Sequence, residues 1–447
     1  MLFKRKMYSK LESWKKNSEG KYAVLIEGAR RVGKSTVVKE FASNEYESYI
    51  FIDFSKMKPL TKKVFEAGLE GDVNRFLIKL QLAEDVQLTP RKSVIVFDEV
   101  QKCPKAREMI KHLVADGRFD YIETGSLISL KRNTVSIMIP SEESHLTMYP
   151  MDFEEYLWAK RKTQTMEYIK DCFEKGCPVG EDWHKEFMKE YREYMAIGGM
   201  PQVVDEFLSS GDLMKTEEQK RNILALYHDD IRKIPSDSSM KIERIFDTIP
   251  SLLSKTSKIF SPSDIKENSR TRAYYDAIDW LRESKIVNIC TSSSDPSPAL
   301  KLSLNDSVFK CYLLDTGLLT AMSMALTEDS LPSAYQDLIL GKLSVNEGMY
   351  FENAVAQELT SRGHELIFSA FNVETDNRLR EVDFLISRNN RIIPIEVKSS
   401  YSFRHRSLDV FMSRYKSLID MAYVVHTGDL KKEGKITYVP IYMAGLI

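Results

Sequence analysis

The octapeptide Gly28-Ala-Arg-Arg-Val-Gly-Lys-Ser35 constrains this chain more than any other stretch. It satisfies G-x-x-x-x-G-K-[S/T] at every fixed position. It also directly follows the apolar run Tyr22–Glu27 (YAVLIE) and precedes a helical stretch, Thr36–Phe41. A strand, a glycine-punctuated turn and a helix, in that order, form the setting in which such a loop holds phosphate. Glycines at 28 and 33 let the backbone curl so that successive N–H groups point inward at phosphate oxygens. The helix N-terminus adds free donors and the positive end of its dipole. The predicted nucleotide-binding residues are Gly28, Ala29, Arg30, Arg31, Val32, Gly33, Lys34, Ser35 and Thr36. Lys34 is expected to neutralise the β- and γ-phosphates and the Ser35 hydroxyl to ligate Mg²⁺, so ATP with Mg²⁺ is the expected cofactor pair.

A second element, Ser93-Val-Ile-Val-Phe-Asp98-Glu99, reads as a buried strand that releases two acids at its C-terminal edge. Ligands of open α/β sheets bind at that edge. Asp98 is predicted to hold Mg²⁺ and Glu99 to polarise the attacking water, which suits hydrolysis. The run Tyr49–Phe54 lies between the two motifs in sequence, and a strand there is what the additional-strand class of P-loop proteins requires. After Phe119–Glu123 comes Thr124-Gly-Ser126. A polar residue at this point is expected to sense the γ-phosphate, with Ser126 the first choice and Thr124 the alternative. The catalytic set is then Lys34, Glu99 and Ser126.

The chain has 447 residues, more than a single core usually supports. Strands alternate with helices from Lys21 to about Pro140, which predicts a parallel sheet covered on both faces. Residues 1–150 are expected to form this domain. Residues 151–233 read as a charged helical region broken by Ile197-Gly-Gly-Met-Pro201. Residues 234–326 read as helix, helix and strand pair: a helix start at Ser261-Pro-Ser-Asp264, a helix over Arg272–Glu283, then runs Lys285–Thr291 and Phe309–Leu314. That order resembles a winged helix. A linker is expected around Thr327–Gln336. A smaller α/β domain over 337–447 follows, with an amphipathic helix at Asn346–Arg362 and strands near Glu365–Phe368, Glu381–Ser387, Arg391–Lys398 and Met421–His426. The basic stretch Met1–Lys16 has no apolar core behind it and predicts a short amphipathic helix leaning on the first domain rather than a secretory signal. Five scattered cysteines fit reduced thiols. With no apolar run of membrane-spanning length, the chain is expected to be cytoplasmic, with no membrane partner.

These motifs, together with Phe97-Asp-Glu-Val-Gln101, Glu123-Thr-Gly-Ser126, Met148-Tyr-Pro-Met-Asp-Phe-Glu-Glu155, Gly198-Gly-Met-Pro201 and Leu313-Leu-Asp-Thr-Gly-Leu318, resemble the prokaryotic AAA-plus ATPases that carry a C-terminal nuclease-like domain of unknown function. The resemblance implies an α/β chain: a P-loop AAA-plus ATPase domain, a winged-helix-like middle domain and a C-terminal PD-(D/E)XK-like α/β domain. The sequence departs from the pattern at Pro140–Ser144, where many relatives carry a Gly-Arg pair. Arg30 and Arg31 either face a neighbouring molecule or are solvated.

Asp383, followed by Glu396-Val-Lys398, has the spacing of the PD-(D/E)XK nuclease core, in which two strands aim a carboxylate pair at one metal and a lysine orients water. Glu396 and Lys398 alternate onto one strand face. Glu352 on the preceding helix is the expected further acid, with Glu347 as the alternative. Such a site would take a second Mg²⁺ or Mn²⁺ and stabilise displacement at phosphate. Charge lends it no support. Residues 341–447 hold 14 Lys or Arg against 13 Asp or Glu, and residues 235–330 hold 11 against 13, so neither region has a basic excess that would bind phosphate. The leading expectation is ATP hydrolysis that drives or gates a nuclease-like domain acting on nucleic acid, DNA or RNA. The rivals are an ATP-dependent regulatory or interaction module that binds nucleic acid or another protein without cutting, and a scaffold stabilised by nucleotide. Oligomerisation is open.

Overall fold

The structure is a computed structural model and describes residues 2–69, 71–126, 142–261, 274–324, 331–342, 347–373, 376–400 and 404–447. The chain divides into two compact units: Met1–Tyr149 with Glu283–Lys285, and Pro150–Arg282 with Ile286–Ile447.

In the first unit, strands β1 (Ala23–Glu27), β2 (Ser48–Asp53), β3 (Ser93–Asp98), β4 (Asp120–Gly125) and β5 (Glu143–Thr147) form one sheet in the order β2-β3-β4-β1-β5, with every pairing parallel. All residues of β3 and β4 are buried, as expected for parallel strands covered on both faces. Helices α1 (Lys6–Ser18) and α2 (Lys34–Glu45) pack against each other, and α2 lies on the sheet. Helices α3 (Pro59–Ala67), α4 (Val73–Glu84) and α5 (Pro104–Asp116) pack among themselves. They share a core with the strands in which Phe54, Phe65, Phe76 and Phe97 make edge and tilted ring contacts. Truncating a ring there to alanine would cost about 3–5 kcal/mol. Helix α1 does lean on this unit. Met7, Leu11 and Trp14 are buried, and the Arg5 guanidinium donates to Val32 O and Tyr149 O, both at 2.7 Å.

The strand at residues 48–53 comes between the two motif strands in chain order but not within the sheet. It is the sheet edge, paired to β3, and the strand inserted between β1 and β3 is β4. Chain order does not set lateral order, because a crossover helix lets a strand skip over its neighbour. The alternation also continues past Pro140 into β5, whose residues Glu-Ser-His-Leu-Thr are only partly buried and carry no apolar run.

The second unit opens with helices α6 (Phe153–Ala159), α7 (Thr163–Lys175), α8 (Glu181–Ile197), α9 (Pro201–Ser210), α10 (Leu213–Arg232) and α11 (Ser236–Leu253). Next come α12 (Tyr275–Glu283), β6 (Val287–Ser293), β7 (Leu304–Leu313), α13 (Thr316–Ser323), α14 (Leu331–Ile339) and α15 (Glu347–Ser361). The unit closes with β8 (Ile367–Val373), β9 (Asp376–Arg388), β10 (Arg391–Val397), α16 (Arg406–Arg414), β11 (Ala422–His426), β12 (Lys431–Glu433) and β13 (Ile436–Pro440). The strands form one mixed sheet, β12-β13-β11-β10-β9-β8-β6-β7.

Two expectations change here. The strand pair assigned to a separate winged-helix-like domain is hydrogen-bonded into the C-terminal sheet through Thr291↔Ile367 and Ser292↔Phe368, because an unpaired strand edge is satisfied by any parallel neighbour that presents its ladder. Part of the expected linker at Thr327–Gln336 is helical: α14 packs on α8 and buries Tyr335, whose hydroxyl donates to Glu217 at 2.8 Å. Pro140, most of the helix start at Ser261–Asp264, and Arg272 lie outside the described residues.

The later motifs meet in one buried junction. Asp315 caps α13 through Leu318 N (2.9 Å) and accepts from Gly199 N (2.6 Å). Met151 N donates to Gly199 O (2.7 Å), and Gln357 on α15 accepts from Thr316 N (2.8 Å). A Cβ on Gly199 would sit 1.9 Å from Met151 O. These residues satisfy buried backbone groups, which is a packing task.

Candidate nucleotide site and the C-terminal carboxylate cluster

The octapeptide joins β1 to α2. Gly28 has φ +154° and Gly33, the residue before α2, has φ +98°, both favouring glycine. A Cβ on Gly28 would lie 2.2 Å from Met148 O, so the loop closes against the residue that directly follows β5. Lys34 is buried, and its ammonium donates to Gly28 O (2.9 Å) and Ala29 O (2.8 Å). Burial lowers its pKa to about 8, against the opposing pull of Glu99 and Asp98. Its hydrogen-bond partners are thus neutral carbonyls, with two acids at longer range.

Asp98 leaves the end of β3 and accepts at Oδ1 from Ser35 Oγ (2.7 Å) and from Thr124 Oγ1 on β4. Burial pushes its carboxyl upward, while the Thr124 and Ser35 hydrogen bonds oppose that rise. Glu99 sits in left-handed conformation (φ +56°) and accepts from Gln101 Nε2 at 2.6 Å. A cavity of about 730 Å³ opens beside these groups, lined among others by Arg30, Ser35, Asp53, Asp98 and Glu99. The structure therefore brings Lys34, Ser35, Asp98 and Glu99 together. Of the two sensor candidates, Thr124 is the one that touches Asp98, and Ser126 is buried at the exit of β4. Arg31 is exposed, and Arg30 lines the cavity.

In the second unit Glu352 (α15) and Asp383 (β9) converge with Glu381, which the sequence reading passed over. Their nearest carboxylate oxygens all lie within 4.8 Å of one another. The signal for Glu381 was available, since residues two apart on a strand share a face. Glu396 stands beside the group rather than within it. Its Oε1 accepts at 2.7 Å from Lys398, the residue just past the end of β10. Asp383 Oδ2 accepts from Val397 N at 2.8 Å. Glu347 pairs instead with Arg192 at 3.4 Å.

A wholly buried ammonium, Lys310 of β7, sits among the three acids. Its Nζ lies 3.1 Å from Glu352 Oε1 and 3.7 Å from Asp383 Oδ1, and it also pairs with Glu381. Lys258 and the Tyr312 hydroxyl complete the shell of Glu352. Burial by itself would raise the Glu352 pKa, but Lys310 and Lys258 outweigh it and hold the group down, to about 2. Burial disfavours a charged Lys310, yet Glu352, Glu381 and Asp383 keep its pKa well above the ordinary lysine value. Asp383 is pushed well above the usual carboxylate range by burial and then by Glu352 and Glu396.

Among known proteins, residues 20–157 match a family model described as an AAA domain. Residues 188–329 and 347–443 match two domains of unknown function, DUF8612 and DUF4143. The boundary between these two falls inside the single sheet that joins β6 to β8. No curated protein matches. Solved structures that resemble the chain include the Walker-type ATPase paby2304 of Pyrococcus abyssi, at 16% identity and TM-score 0.43, covering 72% of this chain and 96% of that one. Cdc6p from Pyrobaculum aerophilum is 11% identical with TM-score 0.28, covering 77% and 97%. The Aeropyrum pernix ORC1 protein, solved in complex with DNA, is 11% identical with TM-score 0.29, covering 75% and 95%. No described helix is long and apolar enough to cross a membrane. The N-terminal unit is an AAA-type P-loop ATPase domain.

Proposed function

We propose that the N-terminal unit is a Mg²⁺-dependent ATPase whose nucleotide cycle drives or gates the second unit. The observation that carries this reading is the disposition of Lys34: a buried ammonium bonded to two neutral carbonyls at the mouth of a glycine-shaped loop, ready to exchange them for phosphate oxygens. The residues fit the metal as well, because Ser35 Oγ and Asp98 Oδ1, 2.7 Å apart, are hard oxygen donors of the type Mg²⁺ prefers. When bound, Mg²⁺ supplies positive charge at the phosphates. The backbone from Gly28 to Thr36 holds the triphosphate, Lys34 balances its β- and γ-charge, and Thr124, with Ser126 close behind it, reads the γ-phosphate. Glu99 takes a proton from water as the water oxygen bonds to the γ-phosphorus and ADP departs.

For the second unit the buried Lys310 favours the regulatory reading over the cutting one. In this reading the nuclease-like unit engages nucleic acid or another protein without cleaving it. Glu99→Gln tests the ATPase assignment. This variant should keep ATP affinity and lose turnover by about two to four orders of magnitude. Unchanged steady-state phosphate release would remove Glu99 from the mechanism.

A further inference from the structure

Strand β7 is the sheet edge and lies three places from β9 in hydrogen-bonding order, yet Lys310 reaches both acids that β9 presents. The lysine is wholly buried, and its ammonium has a carboxylate oxygen of Glu352, of Glu381 and of Asp383 around it. The same three residues each place a carboxylate oxygen within 4.8 Å of the others, close enough to surround a single ion. Carboxylates crowded to that degree repel and call for a cation among them. Two more ammoniums stand at the rim, Lys258 on Glu352 and Lys398 on Glu396. Among the described residues, three lysines thus already stand against the four acids Glu352, Glu381, Asp383 and Glu396. A divalent ion would have to displace an ammonium that is itself wholly buried among these acids.

We propose that Lys310 is the built-in cation of this site: its ammonium takes the place a divalent metal would occupy, so the wild-type C-terminal cluster binds no Mg²⁺ or Mn²⁺. The inference rests on the non-cleaving reading above and names its cause. Lys310 acts here as a positioning residue, holding the acids together without touching any substrate.

The test compares Mn²⁺ binding by the full chain without nucleotide, by calorimetry and by the Mn²⁺ electron paramagnetic signal, in four proteins: wild type, Asp383→Asn, Lys310→Ala and Lys310→Ala/Asp383→Asn. Wild type and Asp383→Asn should bind Mn²⁺ alike. Lys310→Ala should gain one ion per chain and lose it again in the double variant. A wild-type site that Asp383→Asn abolishes overturns the proposal, as does a folded Lys310→Ala that gains no ion. If Lys310→Ala does not fold, Lys310→Gln replaces it, and the comparison of wild type with Asp383→Asn decides in either case. Nucleic-acid cleavage, assayed on the same samples, separates the two levels. Metal binding without cutting overturns the built-in cation alone, whereas cutting that Asp383→Asn abolishes overturns the non-cleaving reading.

Discussion

Two buried lysines, each beside acidic residues, show how differently one side chain is used in the two units. Lys34 is bonded to the carbonyls of Gly28 and Ala29, and its pKa falls to about 8. Lys310 is bonded to carboxylates, and its pKa rises. Burial disfavours both ammoniums. The difference lies in the partners. Carbonyl dipoles leave the Lys34 charge largely uncompensated and available to an anionic ligand, whereas ion pairs neutralise Lys310 within the fold. A lysine poised to bind phosphate and a lysine that locks a cluster are distinguished by what they touch.

Removing each charge tests that contrast. Lys310→Met strands three carboxylates without their ammonium and should cost about 3–5 kcal/mol of unfolding free energy, read by urea titration. The same change at Lys34 should leave stability near wild type, because no acid loses a direct partner. Equal destabilisation by the two variants would dissolve the comparison.

Next in size is the effect on ligand binding. Lys34→Ala should weaken ATP binding by at least about a hundredfold in calorimetry, since hydrogen bonds to charged groups are the strong ones. Lys310→Met, if still folded, should bind ATP as wild type does. Wild-type affinity in Lys34→Ala would sink the nucleotide assignment.

The pKa of Lys34 gives a pH signature of known sign. The free group is lowered to about 8, and phosphate contact favours the charged form. Bound protein therefore holds more protons than free protein above that value. Affinity is fully present below pH 8 and falls as pH rises through 8, by at most about tenfold per unit. Calorimetry in buffers of different ionisation enthalpy should report proton uptake on binding between pH 8 and 9. Release, or no exchange, would contradict the lysine's assigned state.

The smallest expected effect separates the sensors. Thr124→Val deletes a hydrogen bond to Asp98 and should slow turnover roughly fivefold to tenfold. Ser126→Ala should do less. The reverse ranking would return the role to Ser126.

Much of the first unit was legible because its signals are local. The octapeptide is contiguous, Ser93–Asp98 is a continuous apolar strand ending in acids, and the basic N-terminal stretch already shows the spacing by which Met7, Leu11 and Trp14 are buried. The lateral order of strands was not legible, and β4 rather than β2 came to lie between the motif strands. In the second unit the motif spacing singles out Glu352, Asp383 and the Glu396–Lys398 pair but not Glu381, which only its period-two relation to Asp383 marks. Lys310 carried no signal at all. It lies 73 residues before Asp383, on a strand expected to belong to another domain.

The sequence by itself determined the phosphate loop, the acid pair and the existence of most strands and helices, because each depends on residue types at short, fixed spacing. Only the tertiary structure decided that β6 and β7 join the C-terminal sheet, that the motifs at Gly198–Pro201 and Leu313–Leu318 meet in a packing junction, and that an ammonium stands among the carboxylates. Those outcomes depend on which distant groups burial forces to neutralise one another, and no local pattern records that.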